Sequence, residues 1–377
     1  MASTNHCVLI TGARGFIGKN LILRLNEHPV FSILTFVRGD DPALLTSLVS
    51  QADVVVHLAG ENRPKNETAF DDVNTNLTDL VCSAINQEFA YSGRLVPLLF
   101  TSSTQAECET PYGISKLKAE ALVKALAKEI GNSCTVFRLP GVFGKWCKPN
   151  YNSVVATFCY NIARELPVQI HNHETKLTLV YIDDVIAALL AAIKSPATGF
   201  TETKVGPEYV ISLGELEEQI RAFNSSRSSL LTHRVGTGLI RALYATYVSY
   251  IPNEKFHYDL TQHVDKRGVF VEILKTFDSG QFSYFTSHPG ITRGSHYHHT
   301  KTEKFLVVKG EALFRFRHVL TGELVEFRTN SIRPQIVDTI PGWSHDITNI
   351  GSDEMVVLLW ANENYDSDKP DTISRKV

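Results

Sequence analysis

Two groups of side chains in this chain are spaced for chemistry. The first is Ser102-Ser103, followed nine positions after Ser103 by Tyr112 and then by Lys116 in a Tyr-x-x-x-Lys pattern. At the start of a helix, that spacing puts Lys116 one turn beyond Tyr112 on the same face. An ammonium there stabilises the phenolate, so the phenol can give up or regain a proton near neutral pH. Ser103 would hydrogen-bond a reacting carbonyl oxygen, with hydride arriving from a nicotinamide and the proton from Tyr112. Taken alone, Tyr-x-x-x-Lys also fits a plain surface helix. The second group is His296, His298, Glu303 and His345. His296 and His298 alternate on one strand and point to one face, and His299 points to the other. Three imidazoles and a carboxylate suit Zn²⁺, Ni²⁺, Mn²⁺ or Fe²⁺. Histidines in a metal-free barrel core are the alternative.

A third feature supplies the nicotinamide. Gly12-Ala-Arg14-Gly15-Phe16-Ile17-Gly18 follows a short apolar strand and opens a helical pattern. Glycines there let the backbone approach a pyrophosphate, which sits on the helix N-terminus. The next strand ends at Val37-Arg38-Gly39 rather than on an acidic residue. Arg38, with Arg14 as a second candidate, suits the 2′-phosphate of NADPH. Asp40 keeps NAD open, and a solvated loop cation is the plain reading of Arg38.

The elements that must hold these groups fall into two patterns. Between residues 7 and 200, short β-branched runs alternate with longer helical stretches, which predicts a doubly wound α/β Rossmann-like parallel sheet covered on both faces. Ser212-Leu-Gly-Glu215 is a capping box opening a helix to about Phe223. Asn224–Leu231 is serine-rich and reads as a loop or linker, and Leu239–Pro252 is hard to place. From about Phe270 the pattern becomes short strands with turn signals between them. Lys309-Gly310-Glu311 and Thr321-Gly322-Glu323 read as hairpin turns. This predicts an antiparallel sandwich or barrel, with domains at 1–250 and 251–377.

Composition agrees with two modules. All six cysteines precede position 160, while eight of the 14 histidines lie from His257 onward. The length of 377 residues also suggests about two domains. No Cys-x-x-Cys pair occurs, so the cysteines read as buried thiols of a reducing cytoplasm. A net charge of −3 argues against nucleic acid as a partner. No apolar run reaches a membrane-spanning length, nor is a leader pattern visible, so a cytoplasmic protein is expected.

The first region resembles the extended short-chain dehydrogenase/reductases that process nucleotide sugars. Beyond the glycine loop and Tyr-x-x-x-Lys, the resemblance rests on His57-Leu58-Ala59-Gly60, Arg138-Leu-Pro140-Gly-Val-Phe-Gly144 and Tyr181-Ile-Asp183-Asp184-Val185. It implies that Leu58 and Ala59 line the cofactor. His57 reads as a strand-end or cofactor-edge residue. Tyr112 stands closer to Ser103 than is usual in that family, so the loop over the substrate is short. The second region resembles the two motifs of the all-β cupin (jelly-roll barrel) family. Asp265-Lys-Arg267-Gly268-Val-Phe270-Val-Glu272 and Arg293-Gly294-Ser-His296 also resemble cupin-fold epimerases of 4-keto-6-deoxy nucleotide sugars. In those epimerases the first motif holds the nucleotide diphosphate, and the histidine of the second is the catalytic base. His296 is therefore either a base or a metal ligand. Other base candidates are Tyr297, Lys301, Lys304 and His318.

Phe143–Ser153, His298–Lys301 and Glu303–Val308 resemble the CapF-type bifunctional capsule and O-antigen enzymes, in which such a reductase is fused to a metal cupin. The resemblance implies C3 epimerisation of UDP-2-acetamido-2,6-dideoxy-β-L-arabino-hexos-4-ulose. NADPH reduction at C4 then gives the L-talo sugar, a precursor of N-acetyl-L-fucosamine. It also implies a divalent metal such as Zn²⁺ and, by analogy with cupins, a homodimer. A cupin isomerase or iron oxygenase beside an unrelated reductase is one alternative. An NADPH-binding sugar sensor is another.

Overall fold

A computed structural model describes residues 6–63, 70–299, 301–368 and 370–377. It divides into two compact units, the first reaching Ile220 and including Ala242–Ile251, the second made of Arg221–Arg241 and Pro252–Val377. The segment 221–241 thus groups with the second unit, whereas the sequence pattern changes near residue 250.

The first unit is built on strands β1 (His6–Thr11), β2 (Phe31–Phe36), β3 (Val54–His57), β4 (Leu98–Ser103), β5 (Cys134–Leu139), β6 (Gly141–Phe143), β7 (Lys176–Tyr181), β8 (Phe200–Thr203) and β9 (Glu208–Ser212). Its main sheet runs β2-β1-β3-β4-β5-β8, with every neighbouring pair parallel. All four residues of β3 and all six of β4 are buried, as expected of strands covered on both faces. The helices are α1 (Phe16–Asn26), α2 (Leu44–Gln51), α3 (Leu77–Ser92), α4 (Pro111–Ile130), α5 (Val154–Ala163) and α6 (Ile182–Lys194). Val81 and Ile85 of α3 and Val123 of α4 pack on Leu9, Val55, Leu98 and Val136 of the sheet. The chain leaves β1 for β2 on one side and returns to β3 on the other. That reversal opens a crevice at the carboxyl ends of β1 and β3, where open α/β sheets bind ligands.

Helix α7 (Leu213–Ser229) opens on the expected capping box, in which the Ser212 and Glu215 side chains bond each other's backbone amide. It does not stop at Phe223. The serine-rich run expected to be a loop continues the helix, and within it Ser226, Ser228 and Ser229 turn their hydroxyls back onto carbonyls three or four residues earlier instead of opening a turn. Leu230, at φ +61°, ends it. Gly238–Val248, unplaced from sequence, forms α8.

The second unit is all-β beyond its helical segments. One sheet runs β10 (Leu231–Thr232), β12 (Gly268–Thr276), β13 (Gln281–Ser287), β20 (Met355–Ala361), β15 (Glu303–Lys309), β18 (Ile336–Asp338), with β11 (Gln262–Asp265) beside β12. The other runs β17 (Leu324–Asn330), β16 (Glu311–His318), β19 (Trp343–Asn349), β14 (Thr292–Tyr297), β21 (Ile373–Ser374). Phe285, Phe305 and Val357 of the first sheet meet Phe314, Phe316 and Ile347 of the second in one core. This is the expected double-sheet architecture. One turn differs. Gly322 closes the β16–β17 hairpin as expected, but β15 and β16 belong to different sheets. Gly310 is therefore a corner between sheets, not a hairpin turn.

Candidate active site and metal centre

In the first unit, the crevice is closed by backbone. Gly12 has φ +70°, and a Cβ there would lie 2.7 Å from the Ala59 nitrogen. Only glycine lets the loop after β1 pass so close to Leu58-Ala59 at the end of β3. Gly15 is the N-cap of α1, whose first turn is Phe16-Ile17-Gly18. The glycine loop and Leu58-Ala59 thus meet at the crevice. Arg14 is exposed beside them.

Arg38 does not stand free. It pairs with Glu61 at 2.9 Å, and Glu61 also accepts the Tyr151 hydroxyl at 2.8 Å. Asp40 accepts the Val37 amide at 2.8 Å and so fastens the turn that carries Arg38. Asn74 clamps the Glu61 segment, accepting from the Glu61 amide at 2.8 Å, donating to its carbonyl at 2.9 Å and donating to Ser115 at 2.9 Å. It lies in a π-helical turn, Asp71–Asn76, a form common at functional sites. Neither Glu61 nor Asn74 carried any motif signal.

Ser103, Tyr112 and Lys116 come together. Thr110 caps α4 through the Gly113 amide at 3.0 Å, with Pro111 in its first turn. Tyr112 therefore sits in the first turn of α4, and its phenol hydrogen-bonds Ser103 at the tip of β4. Burial raises the Tyr112 pKa and the Ser103 bond pulls it part of the way back. The expected ammonium–phenol contact takes another form. Lys116 is buried, and its Nζ donates to the Thr101 carbonyl at 3.1 Å and lies over Phe100. The long side chain ends on β4 of the sheet, not on the phenol. Burial pushes the Lys116 pKa down to about 8, against a partial upward pull from Glu120.

His57 is fully buried between Thr11 at 2.6 Å and Thr78 at 3.0 Å. Burial, and then the Lys116 charge, push its pKa down to about 3. It stays a neutral strand-end residue. The cysteines are all free, and burial pushes Cys82 up to about 12 and Cys134 up to about 11. Cys82, Cys134 and Cys159 are the buried thiols expected, whereas Cys7 and Cys147 are half-buried and Cys108 is exposed. No helix among the described residues is long and apolar enough to cross a membrane.

In the second unit, single ligand atoms of His296, His298, Glu303 and His345 lie within 4.8 Å of one another. They converge because β14 and β19 pair antiparallel with His296 opposite His345. A bulge interrupts that pairing at Gly294-Ser295, where both residues take positive φ. A Cβ on Gly294 would stand 2.8 Å from the His345 carbonyl, so the strands close here only on glycine. Glu303 begins β15 on the opposite sheet.

The donor set can be tested for fit to a cation. His298 Nδ1 faces the Asp371 carbonyl, which can only accept, so Nδ1 carries the proton. In the neutral ring, Nε2 then turns its lone pair toward the Glu303 carboxylate at 3.3 Å. His345 Nδ1 likewise faces the Trp343 carbonyl at 3.3 Å. Its Nε2 is buried with no hydrogen-bond partner among the described residues, 3.6 Å from the same Glu303 oxygen. Lone pairs thus converge on one point, and a cation satisfies them together. Burial would raise Glu303, but the carboxyl is held well below its usual range, with the Lys301 ammonium 3.2 Å away. For His296, burial first and then His345 push the pKa down to about 4, leaving a neutral donor.

A cavity of about 170 Å³ opens on this cluster, lined by Arg267, Phe270, Arg293, His296, Glu303 and Thr339 among others. The Arg293 Nε and Nη2 are buried without partners among the described residues, and Arg267 is held by Asp265. The base candidates separate. Lys301 reaches Glu303 at 3.2 Å. Lys304 is paired with Asp338, His318 Nδ1 accepts the amides of Leu320 and Thr321, and Tyr297 stacks edge-on against His299.

The chain matches two known family profiles: the NAD dependent epimerase/dehydratase family over residues 8–214, and the polysaccharide biosynthesis C-terminal domain over residues 263–373. It is 51% identical, over 98% of both chains, to a UDP-2-acetamido-2,6-beta-L-arabino-hexul-4-ose reductase of Pseudomonas aeruginosa. The capsular polysaccharide assembling protein CapF of Staphylococcus aureus superposes with a TM-score of 0.90 at 40% identity, covering 98% of this chain and 100% of CapF. MoeE5, solved with UDP-glucose and NAD, shares only the fold of the first part, with a TM-score of 0.54 at 20% identity over 64% of this chain. With more than half of its residues inside the first profile, and a relative this similar along nearly its whole length, the chain belongs to the NAD dependent epimerase/dehydratase family.

Proposed function

We propose that this chain is a bifunctional nucleotide-sugar enzyme. Its all-β domain, taken as 251–377, epimerises C3 of UDP-2-acetamido-2,6-dideoxy-β-L-arabino-hexos-4-ulose. Its reductase domain, taken as 1–250, reduces the C4 ketone to the L-talo sugar. The full-length identity to the Pseudomonas reductase carries this reading. The two separate residue clusters, each suited to one step, support it. A homodimer is part of the reading, tested by sedimentation.

NADPH supplies the hydride when bound. The glycine loop and Leu58-Ala59 would hold it, with Arg38 on the 2′-phosphate. Tyr112 gives its proton to the C4 oxygen, and Ser103 donates to that oxygen to orient it. Buried Lys116 keeps a positive charge beside the site, where the oxygen's developing negative charge is stabilised. For the other step, His296, His298, Glu303 and His345 would hold a divalent metal, Zn²⁺ by donor type. When bound it supplies Lewis-acid stabilisation of negative charge on the sugar oxygen. The C4 ketone makes the C3 proton removable, because the carbanion delocalises into an enolate. Arg293, whose guanidinium lies over the Phe285 ring at the cavity wall with Nε and Nη2 making no hydrogen bond among the described residues, offers a second positive charge there.

The test is incubation with the UDP-4-ketosugar in D₂O, with and without NADPH, followed by NMR. Deuterium at C3 without NADPH, and C4 reduction only with it, is the expected pattern. Reduction without C3 exchange would remove the epimerase half.

Two further results are expected. Arg38→Ala should raise KM for NADPH by about 10-fold or more while moving KM for NADH far less, since a charge-assisted contact to the 2′-phosphate contributes about 1.5–3 kcal/mol. Steady-state kinetics with both cofactors checks it. The pH profile of kcat/KM for NADPH should fall on the alkaline side, with a pKa near 8. Lys116 is charged below that value and loses its proton as pH rises through it. A profile flat to pH 10 would show that Lys116 keeps its proton.

A further inference from the structure

Residues 371–375 hold a position over the histidine cluster that no motif announces. Strand β21 pairs with β14 over two residues, Ser374 with His296 and Ile373 with Tyr297. Asp371, just before it, makes three contacts with the loop that carries the chain from His298 toward Glu303. Its main-chain oxygen accepts His298 Nδ1. Its carboxylate accepts the His299 amide at 2.9 Å and the Lys301 amide at 2.8 Å. Beyond β21, the Arg375 amide donates to the Ser295 carbonyl at 2.9 Å and its guanidinium to the Val319 carbonyl at 2.9 Å. The Ser344 hydroxyl donates to the Arg375 carbonyl at 2.5 Å.

These contacts do two things. A carbonyl cannot donate, so it keeps the His298 proton on Nδ1 and leaves Nε2 as the donor atom facing the cluster. The carboxylate ties down two amides of the short loop between His298 and Glu303, and so sets the span between those side chains. Because the same residue provides both, losing the carboxylate also frees the carbonyl to drift from His298.

We propose that Asp371 is a positioning residue for the His296, His298, Glu303 and His345 site. It fixes the tautomer of His298 and the spacing of His298 from Glu303 without itself binding metal. The proposal rests on the metal reading given above.

The test uses the full-length chain and its Asp371→Ala, Asp371→Asn and Arg375→Ala variants. Zn²⁺ affinity is read by competition with a chromogenic chelator, and ligand geometry from the visible absorption of the Co²⁺-loaded protein. Asp371→Ala is expected to bind Zn²⁺ about 10–100-fold more weakly and to show shifted Co²⁺ bands. Asp371→Asn keeps an acceptor oxygen and should fall between it and the unaltered chain. It also carries the test if the alanine variant does not fold. Arg375→Ala loosens the same segment without touching His298, and should stay within about threefold of the unaltered chain. Unchanged Zn²⁺ affinity and Co²⁺ bands in Asp371→Ala would overturn the proposal, as would an equal loss in Arg375→Ala. If the unaltered chain takes up neither Zn²⁺ nor Co²⁺, the metal reading itself falls, and this proposal with it. The two failures are therefore separate results.

Discussion

Tyr112→Phe is expected to cut turnover of the NADPH-dependent C4 reduction by about 10²–10⁴-fold, the usual contribution of a positioned general acid. NADPH binding should be unchanged, and C3 deuterium exchange should persist. The phenol is the donor that the geometry places with Ser103, at the tip of β4 and in the first turn of α4. Removing one oxygen leaves Thr110, Pro111 and the helix start untouched, so the loss would belong to the proton and not to the fold. Stopped-flow oxidation of NADPH against the ketosugar measures it, with fluorescence titration of NADPH as the control. A variant that reduced the sugar at the original rate would remove Tyr112 from the chemistry. The raised phenol pKa fits an acid that is protonated in the resting enzyme, ready to give rather than take.

The second large effect concerns the other unit. His345→Ala or His296→Ala should suppress solvent deuterium exchange at C3 on the order of 10²-fold or more, because stabilisation by a bound metal amounts to several kcal/mol. Reduction of a pre-epimerised substrate should continue in both variants. His345 is the sharper of the two. Its Nε2 is buried, makes no hydrogen bond among the described residues and stands 3.6 Å from the Glu303 carboxylate, an arrangement that would suit a pair of ligands around one cation. His296 could serve as base or ligand. Exchange measured in chelator-treated protein separates those roles. Exchange lost with the metal assigns His296 to it, while exchange surviving metal removal makes the metal structural and returns His296 to the part of base.

The legible parts of this molecule were those whose physics is local. The glycine loop, the capping box of α7 and the Tyr112–Lys116 spacing each depend on residues within one or two turns of each other. The alternation of His296 and His298 is local too, and their meeting with His345 needed only the assumption of a barrel. What escaped was decided at a distance or by a side-chain tip. Lys116 shares a face with Tyr112, but spacing cannot say that its ammonium ends on the Thr101 carbonyl. Asp371 reaches His298 through a main-chain oxygen 73 positions away, and any residue type presents such an oxygen. The serines after Phe223 look like loop until their hydroxyls are seen bonding backward along a helix. Gly310 carries the composition of a hairpin turn, yet it joins two sheets, which only the packing of the phenylalanine core decides.

The bulge at Gly294-Ser295 has an arithmetical consequence. On a regular strand, side chains facing one cavity are an even number of residues apart. Arg293 and His296 are three apart, yet both line the same cavity. The extra residue resets the count between them, so parity before the bulge differs from parity after it. A guanidinium and the His296 imidazole can therefore face one cavity from a single strand. Deleting Ser295 would leave them two apart and still on one face, whereas straightening the bulge without a deletion would put them on opposite faces. The shared face thus depends on the bulge, and the bulge on Gly294, where a Cβ would stand 2.8 Å from the His345 carbonyl.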